Sequence, residues 1–80
     1  MKILVKFFAR YREALGVDEL ALEGDFASVD AVRRLLLLRE GMEVLAEQNL
    51  MCARNEDLCS LSEPLADGDE VAFFPTVTGG

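Results

Sequence analysis

PLADGDEVAFFPTVTGG, residues 64–80, decides how this 80-residue chain reads. Asp67-Gly68-Asp69 is a turn signal. The segment 70–74 (EVAFF) then reads as a strand, with Val71 and Phe73 on one face and Ala72 and Phe74 on the other. Pro75 cannot donate a ladder hydrogen bond and holds the backbone extended. Thr76, Val77 and Thr78 favour extended conformations as well. The chain stops at Gly79-Gly80. Residues 76–80 therefore read as a stiff arm projecting from a sheet, with a tip that bears no side chains. Such a tip passes through a narrow tunnel and approaches reactive groups closely, because glycine lacks a Cβ. The only chemistry it offers is the terminal carboxylate of Gly80. A carboxylate is a poor electrophile, since attack adds negative charge to an anion. Activation must come first, and ATP-dependent acyl-adenylate formation by a partner enzyme is the usual route. The activated group then forms a thioester, an isopeptide or a thiocarboxylate.

Working outward, the pattern predicts one small domain over 1–80. Residues 2–9 (KILVKFFA) alternate as a strand, Ile3, Val5 and Phe7 opposite Leu4, Lys6 and Phe8. Arg10 to Leu15 has helical composition and stops at Gly16. Residues 18–24 form a half-buried strand with Leu20 and Leu22 on one face. Ser28 is a good N-cap for a helix over 29–40 ending at Gly41. Val29, Val32, Leu35 and Leu36 make its inner stripe, and Leu37 is expected to be the most exposed of the four leucines. Met42 to Glu47 suits one further helical turn. Residues 50–54 and 58–60 are strands around an Asn55-Glu56-Asp57 turn. One long helix on one small mixed sheet is an α+β arrangement, with the apolar first and last strands central. Ile3, Val5, Val32, Leu36, Val71 and Phe73 are the expected core.

Composition excludes many functions. The chain has no histidine, which removes Ser-His-Asp and Cys-His nucleophile pairs and histidine metal sites. Two cysteines alone cannot close a zinc site, so no metal is expected. A net charge of -7 disfavours nucleic acid as a partner and favours a basic protein. After Arg54 no basic residue occurs, so the C-terminal segment is the acidic end. The longest run of branched apolar residues, Leu35 to Leu38, is far too short for a membrane span. Lys2 and Lys6 interrupt the start, which argues against a signal peptide, and the expected compartment is the cytoplasm. Cys52 and Cys59 are then reduced and read as small buried hydrophobes.

The segments KILVKFFARYREALG, SVDAVRRL, ARNEDL and above all PLADGDEVAFFPTVTGG resemble the ubiquitin-like β-grasp family. More narrowly, they resemble its sulfur-carrier members, the small subunits of molybdopterin synthase. That family typically shows two prolines after the paired phenylalanines, whereas here Thr76 follows Pro75. Arg54 also stands where an apolar residue is more usual, and the sequence offers no account of it. The resemblance implies that an activating enzyme adenylates Gly80 at the expense of ATP. A sulfur donor then makes a C-terminal thiocarboxylate. The tail, Gly79 included, inserts into a large subunit, and sulfur passes to a cyclic pyranopterin precursor. It implies a heterotetramer of two small and two large subunits and no permanently bound cofactor. Phe8, Leu58 and Phe74 would form an apolar patch against the large subunit, with Pro75, Thr76, Val77 and Thr78 as the inserted arm. A sulfur carrier for thiamine thiazole synthesis shares the fold and the Gly-Gly end. Those carriers tend to be shorter and to lack the ARYREALG segment. A ubiquitin-like protein modifier and a plain interaction module are the other readings.

Overall fold

Alternation makes Lys2–Phe7 a strand, β1, in which Ile3, Val5 and Phe7 are buried while Leu4 and Lys6 are half-buried. The computed structural model describes residues 1–76 of the chain. The backbone leaves β1 through Ala9, whose φ of 55° lies in a region that side chains disfavour. It then forms α1, Arg10–Leu15, closed by Gly16 at φ 74°. β2, Glu19–Glu23, returns antiparallel to β1, with Ile3 opposite Leu22. α2 spans Val29–Leu37. A single 3-10 turn at Glu43–Ala46 leads to β3, Met51–Arg54, and β4, Asp57–Cys59. The two-residue connection Asn55-Glu56 has positive φ at both positions, the hairpin geometry that matches strand twist. β5, Glu70–Phe74, completes a five-stranded sheet in the order β2-β1-β5-β3-β4. β1 and β5 run parallel, and every other pair is antiparallel.

The core lies between α2 and one face of this sheet. Ile3, Val5 and Phe7 meet Val29, Val32 and Leu36 from the helix and Val71 and Phe73 from β5. All six expected core residues are there. Phe7 and Phe73 are register partners whose rings stack at 6.4 Å between centroids. Ser28 caps α2 by accepting from the Ala31 N–H at 3.3 Å. The helix's other free donors go to the 60–66 loop: Val29 N–H to the Glu63 carbonyl and Asp30 N–H to that of Leu61.

Three expectations about α2 are corrected. The helix ends at Leu37 rather than 40, because Leu38 and Arg39 donate to Leu35 and Leu36 and so tighten the last turn. Leu38, at 84 %, is therefore the most exposed of the four leucines, while Leu37 packs partly on the core. Leu35 sits about 100° from Leu36 around the helix, at the margin of a narrow stripe, and stays exposed.

Arg54 finds its account here. It lies at the margin of the core-facing side of β3, in register with Val71. Its guanidinium donates to Asp69 at 2.7 Å and to Glu63 at 3.2 Å. Asp69 also accepts from Asn55 Nδ2 and from the Ala66 N–H, and these bonds hold its carboxyl below the ordinary range. The network ties the β3–β4 hairpin to the loop that caps α2.

Replacing Phe73 by alanine removes the ring at the centre of this core. The expected cost is about 3–5 kcal/mol, a large share of a small domain's stability. Chemical denaturation of Phe73→Ala checks it, and a midpoint equal to the parent's would show that Phe73 does not anchor the core.

Candidate functional site

The site is built on the sheet face turned away from α2. Register places Lys6, Ala72, Ala53 and Leu58 in one row across β1, β5, β3 and β4. The next row pairs Met51 with Phe74. Phe8 follows β1 directly, and its N–H donates to the Phe73 carbonyl at 3.2 Å, which keeps it beside the end of β5. The two alanines make a low floor. Phe8, Leu58, Phe74 and Pro75 stand around it and line a depression of about 490 Å³. Phe8 is 45 % and Leu58 67 % exposed, unusual values for large apolar side chains. α1 does not cover Phe8.

Phe74, expected in the apolar patch, is less open than Phe8 and Leu58. It is half-buried, and Pro75 is buried outright. Proline's ring packs down at the end of the strand, so the arm starts from a fixed point. Thr76 is exposed, and its hydroxyl donates to the main-chain carbonyl of Asn49. Val77, Thr78, Gly79 and Gly80, the arm and tip of the sequence reading, lie outside the described residues.

Charge at the rim is sparse and mostly acidic. Lys6 and Glu70 pair at 3.2 Å, and this hydrogen bond to Glu70 raises the Lys6 pKa. Glu56 lines the same depression. Behind the patch, Tyr11 is buried and donates to Glu47 at 2.6 Å, while Arg10 reaches the same oxygen at 2.8 Å. Desolvation first, and then this bond, push the Tyr11 phenol up to about 12. Glu47 is thereby fixed just before Asn49 and β3.

The cysteines sit on the other face. Cys52 and Cys59 are register partners, with their sulfurs 3.8 Å apart. Both are free, and burial raises both thiols, Cys52 to about 12. Cys59 is only half-buried, contrary to the expected burial of both, because β4 is the edge strand. Among the described residues no group of His, Cys, Asp or Glu is arranged to hold a metal ion. Sequence reasoning missed the opposition of the two cysteines, although a two-residue turn at 55–56 implies it. It also missed the Thr76–Asn49 contact, for which no local signal exists.

The ThiS family model matches residues 5–80. The chain belongs to the ThiS family. The molybdopterin synthase sulfur carrier subunit of Escherichia coli is 45 % identical over 80 residues, covering 98 % of this chain and 99 % of that protein. SAMP1 of Haloferax volcanii, a small archaeal modifier protein, superposes with a TM-score of 0.83 at 27 % identity, over the whole of both chains. A chain from the complex of subunits 1 and 2 of the molybdopterin-converting factor of Helicobacter pylori gives a TM-score of 0.73 at 27 % identity, again over both whole chains. The α+β arrangement expected from the residue pattern, and the ubiquitin-like fold implied by the resemblance, are therefore the ones observed.

Native Cys52 is expected to react with an aromatic disulfide reagent at pH 8 far more slowly than in denaturant, because its thiol stays protonated and buried.

Proposed function

We infer that this chain is the sulfur carrier subunit of a molybdopterin synthase and works in molybdenum cofactor biosynthesis. One observation carries the reading: β5 supplies both a wall of the exposed apolar depression and the root of the segment ending in Gly79-Gly80. Docking and delivery are thus mechanically one act. The near full-length identity to the Escherichia coli carrier supports the same assignment.

The mechanism assigns the chemistry to Gly80 and its partners. An adenylating enzyme joins the Gly80 carboxylate to the AMP part of ATP and releases pyrophosphate. A sulfur donor displaces AMP and leaves a thiocarboxylate. Its sulfur is a better nucleophile than the carboxylate oxygen it replaces. The arm then enters the large subunit, where sulfur passes to a cyclic pyranopterin precursor, and two such transfers complete a dithiolene. The carrier holds no acid-base machinery of its own among the described residues, so the large subunit supplies the substrate pocket and the proton transfers. Two carriers and two large subunits make the working assembly, in the cytoplasm. Phe8, Leu58 and Phe74 form the contact patch. The complex of subunits 1 and 2 from Helicobacter pylori supports a large-subunit partner of this kind.

A protein modifier joined to lysines is the second reading, favoured by the likeness to the modifier SAMP1. Stable conjugates recovered under denaturing conditions would select it over the carrier.

Intact mass after co-expression with the adenylating enzyme and a sulfur donor tests the assignment, with an expected gain of about 16 Da for oxygen replaced by sulfur. Deleting Gly80 should leave the melting temperature unchanged yet abolish sulfur transfer. It shortens the arm by about 3.5 Å, against a positional tolerance of about 1 Å. Normal molybdopterin formation by that variant would end the terminal-carboxylate mechanism. Leu58→Ala should raise the Kd for the large subunit about tenfold at a nearly unchanged melting temperature, since the side chain is mostly exposed in the free carrier. Calorimetry showing an unchanged Kd would place the interface elsewhere.

A further inference from the structure

The β3–β4 hairpin brings together two groups that sulfur delivery from the C-terminus does not use. Cys52 and Cys59 are register partners, so both side chains leave the sheet on the same face. Their sulfurs lie 3.8 Å apart, and the Cys52 thiol donates to the Cys59 carbonyl at 3.3 Å. Both are free thiols. Directly opposed residues of an antiparallel pair have Cα atoms about 4.5–5.5 Å apart, inside the span of about 4.4–6.8 Å that a disulfide bridges. A bond between them therefore needs the two side chains to turn and leaves the backbone in place. The sulfurs differ in access. Cys52 is 3 % exposed and packed in the core, whereas Cys59 is half-buried on the edge strand. A polar depression of about 260 Å³, which Cys59 lines together with Arg54, Asn55 and Glu63, opens at this thiol.

We propose that Cys52 and Cys59 are a dithiol site that takes a low-molecular-weight disulfide of the glutathione type as its oxidant and closes reversibly into a disulfide across the hairpin. Cys59 is the entry thiol. It loses its proton to solvent, and its sulfur attacks one sulfur of the small disulfide, whose S–S bond breaks. One small thiolate leaves and takes up a proton. The Cys52 sulfur, deprotonated in turn, then attacks the Cys59 sulfur of the mixed disulfide, and the second small thiol leaves in the same way. The pair is oxidised by two electrons, and the small disulfide is reduced to two thiols. Burial keeps both cysteines protonated at neutral pH, which slows each step. Register offsets this in the second step, because a partner held at contact presents an effective concentration that no dissolved thiol reaches. The bond ties the short edge strand to β3. Leu58, next to Cys59 in the chain and opposite Ala53 in the adjoining register pair, is thereby held at the rim of the outer depression. Oxidation thus locks the wall of the apolar patch that the edge strand carries. The exchange needs neither a large subunit nor a C-terminal thiocarboxylate, so it stands whether or not the chain is a sulfur carrier.

The test incubates the reduced full chain with oxidised glutathione at pH 8, quenches with acid and weighs the intact protein. The parent should lose about 2 Da as the two thiols close, with no lasting glutathione adduct, and dithiothreitol should restore the starting mass. Cys52→Ala lacks the resolving thiol and should accumulate one adduct, at Cys59. Cys59→Ala should gain its adduct at least about tenfold more slowly than Cys52→Ala, because Cys52 is enclosed by the core. In the oxidised parent the Cys59 amide should exchange its hydrogen at least about fivefold more slowly than in the reduced chain. A parent that keeps a stable adduct, or that links to a second chain instead of closing, overturns the proposal, as do single variants of equal reactivity. An unchanged exchange rate at Cys59 overturns the lock on the edge strand. Where an alanine variant does not fold, digestion of the parent at early times shows which cysteine carries the transient adduct. Cys59 is expected, and an adduct on Cys52 overturns the order of attack.

Discussion

The parallel pairing of β1 with β5 is the constraint on which the rest of the molecule depends. It joins residues 4–7 to residues 70–73, almost the full length of the chain. Closing so long a loop costs chain entropy that local structure does not return. Burial returns it, because Val5, Phe7, Val71 and Phe73 meet on one face and are sealed by Val29, Val32 and Leu36. The same pairing brings Phe8 to the end of β5 through its bond to Phe73. The outer apolar depression and the root of the C-terminal segment are therefore adjacent because the core requires it.

A polar counterpart holds the other end of the sheet. Asp69, almost fully buried, accepts from Arg54, Asn55 and the Ala66 main chain. Arg54 reaches on to Glu63, whose carbonyl takes a free donor at the start of α2. A buried carboxylate is tolerated only when its lone pairs are satisfied and a positive charge is near. Both conditions hold, so a residue out of keeping with its apolar surroundings becomes the link between hairpin, loop and helix.

The division of labour follows from what this chain lacks as much as from what it has. Its thiols are raised by burial, and Arg54, Glu63, Asp69, Arg10 and Glu47 are engaged in structural pairs. What remains is a rigid sheet with one exposed apolar face and one strand leading away from it. That suits the proposed function, in which the part docks and delivers.

Much of this was legible in the sequence because it rests on local rules. Strand alternation over 2–9 and 70–74, the Ser28 cap, the Gly16 stop and a turn at Asn55-Glu56-Asp57 each need only near neighbours, and the structure trims the first strand to Lys2–Phe7 and the turn to Asn55-Glu56. The residue types after Phe74 and the two final glycines suggested the function as well, although residues 77–80 lie outside the described residues. Tertiary structure decided what depends on distant residues. The tightened end of α2 exchanged the roles of Leu37 and Leu38, and Leu35 fell outside the buried stripe. Edge position left Cys59 half-exposed, and packing across β3 and β5 half-buried Phe74. Arg54 made sense only when Asp69 and Glu63 arrived beside it. The Thr76 hydroxyl met Asn49 only because an antiparallel register, set by pairs further along the strands, carried them to the same place. Sequence periodicity reports which face a side chain takes, but a register is a property of two segments at once.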